Sequence, residues 1–144
     1  MIIEGKYLKM DSIVRPLLWV ILKFKNTFYS SFFLIDTGAD RTFLPYSMIS
    51  QFDIDLKDIE VKEDISGVGG PAPYFTYTTE LLIGDGEKFK IFKGEVGIFL
   101  DPHSAPFPIL GRDILDNFKL IFDRKKCKIY LLDERHTYEI KEVI

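Results

Sequence analysis

A chain of 144 residues fits one domain, residues 1–144. Its 47% apolar and 15% aromatic content is enough to build a core, which excludes disorder, and its 13 Phe and 7 Tyr favour sheet over helix. The net charge of −3, with lysines scattered apart from Arg124-Lys125-Lys126, excludes the basic stripe with stacking aromatics that an oligonucleotide groove needs, so no nucleic-acid partner is expected. The single Cys127 cannot form an internal disulfide and points to a reducing compartment. Met1 to Lys6 lacks the basic and apolar regions of a signal peptide, and the longest apolar run, Leu17 to Leu22, is too short to cross a bilayer. The expectation is a cytoplasmic protein with no membrane partner.

In chain order, Met1 to Met10 precedes the first strongly apolar segment, Pro16 to Phe24. That segment is apolar on both alternating faces, which predicts a strand buried from both sides. Lys25-Asn26-Thr27 turns the chain into a second apolar strand, Phe28 to Ile35, with Asp36 at its end. A short helix is expected over Tyr46 to Phe52 after Pro45, and a strand over Ile59 to Ile65. Ser66 to Pro73 is a Gly- and Pro-rich loop, followed by a strand over Tyr74 to Ile83. Gly84-Asp85-Gly86 predicts a hairpin turn into Lys88 to Leu100. After a Pro-rich loop, Arg112 to Phe118 has helical spacing of Ile114, Leu115 and Phe118. Short strands are expected at Leu120–Phe122, Lys128–Leu132 and Thr137–Ile140. The sum is a mostly β domain of hairpins with one clear helix, in the C-terminal half.

Asp36 is the residue with chemistry to explain. A carboxylate closing an apolar strand and followed by Thr37 and Gly38 is held first on a rigid element and then on a tight turn, where Gly38 lets another chain approach the backbone. An acid at the end of the apolar run Phe32 to Ile35 is costly unless its site is used or satisfied. One carboxyl hydrolyses an amide poorly, because attack needs a base for water and an acid for the carbonyl oxygen. Two adjacent carboxyls cannot both ionise, so they share a proton and supply both roles at one pH. The bland alternative is a turn, since Asp and Gly are common turn residues.

Leu34-Ile35-Asp36-Thr37-Gly38-Ala39-Asp40 resembles the active-site motif of the retropepsin-like aspartic proteases. Two further segments stand in that family's order. Ile65-Ser66-Gly67-Val68-Gly69-Gly70 sits where those enzymes carry the flap, and Pro108-Ile109-Leu110-Gly111-Arg112-Asp113 resembles their second signature. The segment Ile114 to Asp123 is similar to cellular members. The resemblance implies a closed, β-barrel-like acid protease fold that assembles as a two-fold homodimer, and an endopeptidase that needs no cofactor or metal. Asp36, Thr37 and Gly38 would be catalytic. Ala39, Asp40, Gly67, Val68, Gly69, Gly70 and Arg112 would bind a peptide or protein substrate, with Asp40 pairing with Arg112. Val68, Phe43, Phe107 and Ile109 are candidates for pocket walls. Pro71 and Pro73 depart from the flap pattern, because neither can donate a ladder hydrogen bond.

Only one Asp-Thr-Gly exists in the chain, so the second carboxyl must come from a second copy. The retroviral relatives end soon after the helix and interleave their termini. Here more than twenty residues follow Phe122, which implies a differently built interface. Other residues carry less. The Gly67–Gly70 run lacks the Lys-Ser or Lys-Thr of a phosphate loop. His103, His136 and Cys127 lack metal-ligand spacing, and Ser104 beside His103 has no nucleophile elbow. The competing readings are a non-catalytic peptide-binding or dimerisation module on the same fold, and a small β-barrel with a chance motif. The second leaves Ile109-Leu110-Gly111-Arg112 unexplained.

Overall fold

The computed structural model describes residues 1–64 and 72–143. Strands hold 52% of the described residues and helix 6%. The order is β1 (Ile2–Met10), β2 (Ile13–Phe24), β3 (Thr27–Ile35), β4 (Phe43–Leu44), α1 (Met48–Gln51), β5 (Lys62–Asp64), β6 (Ala72–Gly84), β7 (Phe89–Phe99), β8 (Ile109–Leu110), α2 (Arg112–Leu115), β9 (Lys119–Asp123) and β10 (Lys128–Leu132). The strands form one sheet in the order β5-β6-β7-β4-β8-β3-β2-β1-β10-β9, with an added β6–β2 pairing.

Turn chemistry sets the hairpins. Asp11 and Ser12 both have positive φ, the two-residue geometry that folds β1 onto β2 with Met10 opposite Ile13. Gly86 takes φ +98°, and the Asp85 carboxylate accepts the amides of Glu87 and Lys88, which closes the β6–β7 hairpin expected at Gly84-Asp85-Gly86.

The core is one cluster. Leu18, Val20, Leu22 and Phe24 on one face of β2 are buried, together with Phe33, Phe75, Leu81, Ile83, Ile98 and Leu110. Full burial of each such side chain stabilises the fold by about 1.5–3 kcal/mol. The opposite face of β2 differs from the expectation of burial on both sides. Leu17 is buried there, but Trp19 is 49% exposed and packs edge to face on Phe32 of β3 at 4.8 Å. Among the described residues no second layer covers it. Phe89 and Ile91 of β7 likewise face solvent, while Phe92 packs on the core cluster.

Three other expectations change. The helical content is two single turns, α1 within the expected Tyr46–Phe52 and α2, which stops at Leu115. Just beyond, the Asn117 side chain donates to the carbonyls of Ile114 and Asp113, a local bond that competes with another helical turn. Thr137–Ile140 is not a strand. Pro73 is accommodated in β6: it stands opposite Glu63 of β5, and its carbonyl accepts the Leu100 amide.

Met1 to Met10 is no loose extension. Ile2 to Gly5 of β1 pairs with β10, and Lys6 to Met10 pairs with β2. The end of β10 is pinned by Asp133, whose buried carboxylate lies 3.0 Å from His136 Nδ1 and 3.1 Å from both the Met1 amino group and Arg135 Nη2. The His136 hydrogen bond first, then those from Met1 and Arg135, hold its carboxyl well below the usual range in spite of burial.

Candidate active site

The site arises from an insertion in the sheet. β3 leads through residues 36–42 into β4, but the two strands are not neighbours. β8 lies between them, parallel to β3 (Leu34 opposite Ile109, Ile35 opposite Leu110) and antiparallel to β4 (Phe43 opposite Ile109). The 36–42 loop must therefore arch past the end of β8. The Asp36 amide donates to the Leu110 carbonyl at 3.1 Å, and the Arg112 amide donates to the Ala39 carbonyl at 2.8 Å.

Within the arch the carboxylate is fixed. Asp36 Oδ1 accepts the Gly38 amide at 2.9 Å, and the Asp36 carbonyl accepts the Ala39 amide at 3.2 Å. Asp36 is half-buried, while Thr37 and Gly38 are exposed beside it. The carboxylate thus keeps one oxygen on the loop and the other available.

Arg112 at the start of α2 reaches back to the same loop, where its Nη2 donates to Asp40 Oδ1. Both side chains are about half exposed or more (48% and 68%), so the ion pair is worth at most about 1 kcal/mol and acts on geometry more than on stability. The structure therefore brings together Asp36, Thr37, Gly38, Ala39, Asp40 and Arg112. Gly67, Val68, Gly69 and Gly70 lie outside the described residues. Of the suggested pocket walls, Ile109 and Phe107 are half-buried, Phe107 beneath the Arg15 guanidinium at 5.1 Å. Phe43 is buried instead, stacked on Phe99 at 4.5 Å, and belongs to the core.

The residues that hold the two signatures together are Thr42 and Asp113. Thr42 is fully buried, and its amide and hydroxyl both donate to the Asp113 carboxylate, at 3.0 and 2.8 Å. The hydroxyl oxygen also accepts the Gly111 amide at 3.1 Å. Every polar atom of the Thr42 side chain is used in the crossing, which is what a buried hydroxyl requires. Sequence reasoning misses this pair, although a Thr opening an apolar run was the available signal. Gly111 fills the remaining gap: a Cβ there would lie 2.4 Å from the Arg41 carbonyl oxygen and 3.0 Å from that of Ala39.

A family model of the retroviral aspartyl protease matches residues 13–122. The chain belongs to the retroviral aspartyl protease family. The match spans everything from β2 to β9, including both signatures. Among solved structures, a retropepsin-like aspartic protease from Rickettsia conorii is similar in fold, with a TM-score of 0.64 at 19% identity over 91% of this chain and 98% of that one. The EIAV protease complexed with the inhibitor HBY-793 is also similar, with a TM-score of 0.52 at 26% identity over 80% of this chain and 100% of that one. Comparison with curated protein sequences finds no match. For this retroviral-type aspartyl protease, the matched residues include the Asp-Thr-Gly that follows β3 and the Gly-Arg at the start of α2.

Among the described residues no three His, Cys, Asp or Glu side chains are placed to hold a metal ion. His136 is engaged with Asp133, and His103 and Cys127 are exposed. No helix among them is long and apolar enough to cross a membrane.

Proposed function

We propose that this protease domain is a homodimeric aspartic endopeptidase in which water is activated between Asp36 of two copies. The observation that carries the proposal is the Asp36 carboxylate itself, pinned by one oxygen on a backbone-clasped loop, half exposed, and present once per chain. Across a two-fold axis, the two carboxyls share one proton. The ionised partner takes a proton from water, and the resulting hydroxide attacks the scissile carbonyl carbon. The protonated partner gives its proton to the carbonyl oxygen, which forms a tetrahedral diol. Collapse of the diol breaks the C–N bond and returns a proton to the leaving amine.

In this reading Thr37 holds the two loops together across the axis. Gly38 and Ala39 present backbone to substrate. Asp40, oriented by Arg112, contacts the substrate main chain. An extended peptide lies in the cleft as an added strand, its alternating side chains entering pockets walled in part by Ile109 and Phe107. The flap reading of Gly67, Val68, Gly69 and Gly70 rests on the sequence alone. The barrel-like closure of the fold is supported by the β6–β2 pairing. A cytoplasmic setting is supported by the single, exposed, unpaired Cys127.

The test is incubation of the full chain with a diverse peptide library from acidic to neutral pH, with cleavage read by mass spectrometry. Cleavage between preferred, mainly apolar residues is expected. No cleavage of any peptide by a chain shown to be dimeric would favour the non-catalytic peptide-binding module.

A further inference from the structure

The arch that carries Asp36 also carries a charge that no described carboxylate answers. Asp40 pairs with Arg112, and Thr42 is bound to Asp113, so both side chains turn toward α2. Arg41, between them and half-buried, turns the other way. Its guanidinium lies over the Tyr74 ring of β6, 5.9 Å from the centroid. Among the described residues no carboxylate lies within ion-pair distance of it. The platform beneath it is fixed: Tyr74 packs edge to face on Phe43 at 5.1 Å, and Phe43 stacks on Phe99 at 4.5 Å. A ring holds a guanidinium by its flat face and leaves the N–H edge to donate. Tyr74 stands opposite Lys62 of β5 and Phe99 of β7, so Arg41 bridges the arch to the base of the β5–β6 hairpin. The connection of that hairpin is the segment whose Gly67 to Gly70 read as a flap. A peptide laid between arch and hairpin passes the guanidinium edge.

We propose that Arg41 reads an acidic side chain of the substrate, so that the domain prefers peptides with Asp or Glu at one position on each side of the scissile bond. The proposal rests on the homodimeric reading above and names the class of substrate for that site. The guanidinium fork meets a carboxylate with two parallel N–H···O bonds, a match that no neutral side chain supplies. A substrate Lys at that place would set like charges together, which selects against it. Asp40 and Arg112 cancel each other, so Arg41 is the surplus positive charge of the arch. The whole chain carries −3 and does not draw acidic peptides from a distance, so the preference is local to Arg41. Two-fold symmetry supplies two copies of Arg41, which places the preference at two positions, one on either side of the bond. The residues that flank the bond itself meet Ile109 and Phe107 and stay apolar.

The test takes one peptide with an apolar centre and places Glu, Gln or Lys at each flanking position in turn. With the full chain, kcat/KM should favour Glu over Gln by about tenfold or more at two positions, the scale of a hydrogen bond between charged groups. Lys should be worst there, and the gap should narrow as salt is raised. Arg41→Gln should erase the difference between Glu and Gln, Arg41→Glu should invert the order of Glu and Lys, and Arg41→Lys should keep its sign. An Arg41 that only braces Tyr74 predicts an equal loss for all three peptides. That result, or a wild-type chain indifferent to Glu, would overturn the proposal, and the wild-type comparison decides even where a variant does not fold. Binding of the same peptides to the full chain, by fluorescence anisotropy, is read alongside. Cleavage without charge selectivity would overturn the role of Arg41 and leave the endopeptidase standing. Glu-selective binding that Arg41→Gln abolishes, with no cleavage by the wild-type chain, would uphold Arg41 and overturn the endopeptidase.

Discussion

Replacing Asp36 by Asn is expected to lower peptide cleavage by about a thousandfold or more, with little change in folding or association. The amide cannot accept the proton from water, and it cannot share a proton with its counterpart, so both catalytic roles fall together. Removal of a positioned acid or base costs about 10²–10⁴ in rate, and groups that act as a unit lose most of their effect when one is removed. The loop itself has little reason to change. Asn Oδ1 still accepts the Gly38 amide that Asp36 Oδ1 accepts at 2.9 Å, and the side chain is only half-buried. Stability should stay within about 1 kcal/mol by thermal unfolding. Undiminished cleavage by a folded Asp36→Asn dimer would remove Asp36 from the mechanism.

Gly111→Ala should damage both fold and activity. The added methyl would sit 2.4 Å from the Arg41 carbonyl oxygen, 2.5 Å from its carbon and 3.0 Å from the Ala39 oxygen. All three are backbone atoms of the arch that carries Asp36, so no side chain can swing aside. Overpacking of this kind costs about 1–3 kcal/mol, and the rigid clasp by Thr42 and Arg112 favours the upper end. The arch has to move, and a displacement near 1 Å at a reacting group costs about a hundredfold in rate. The control is Gly94→Ala, where a Cβ meets nothing within 4 Å. Urea unfolding and kcat/KM on the two variants should separate sharply. Equal behaviour would show that the clasp is softer than its geometry implies.

Both variants act on residues that local sequence made visible, and the reason is physical. Asp36 ends an apolar strand, and Gly111 opens a helical turn after an apolar pair, so each stands at a break in periodicity. The hairpins β2–β3 and β6–β7 are visible for the same reason, through alternation bounded by turn residues. What the sequence hides is set by partners far along the chain. Thr42 and Asp113 are 71 residues apart, and nothing local to either announces the other. The placement of β8 between β3 and β4 rests on a few backbone bonds made by a two-residue strand. Alternation also does not say which face is covered: Trp19, Phe89 and Ile91 have the hydropathy of core residues, yet they stand on faces that no described layer covers. The role of β1 was hidden because its partner β10 lies at the far end of the chain.

That each chain holds half of one active site can be tested by counting sites. A peptide analogue with a hydroxyl at the scissile carbon mimics the tetrahedral intermediate and binds far more tightly than substrate. Titrated calorimetrically into the full chain, it should saturate at one analogue per two chains, and Asp36→Asn should lose most of the binding. Saturation at one analogue per chain would contradict the shared site.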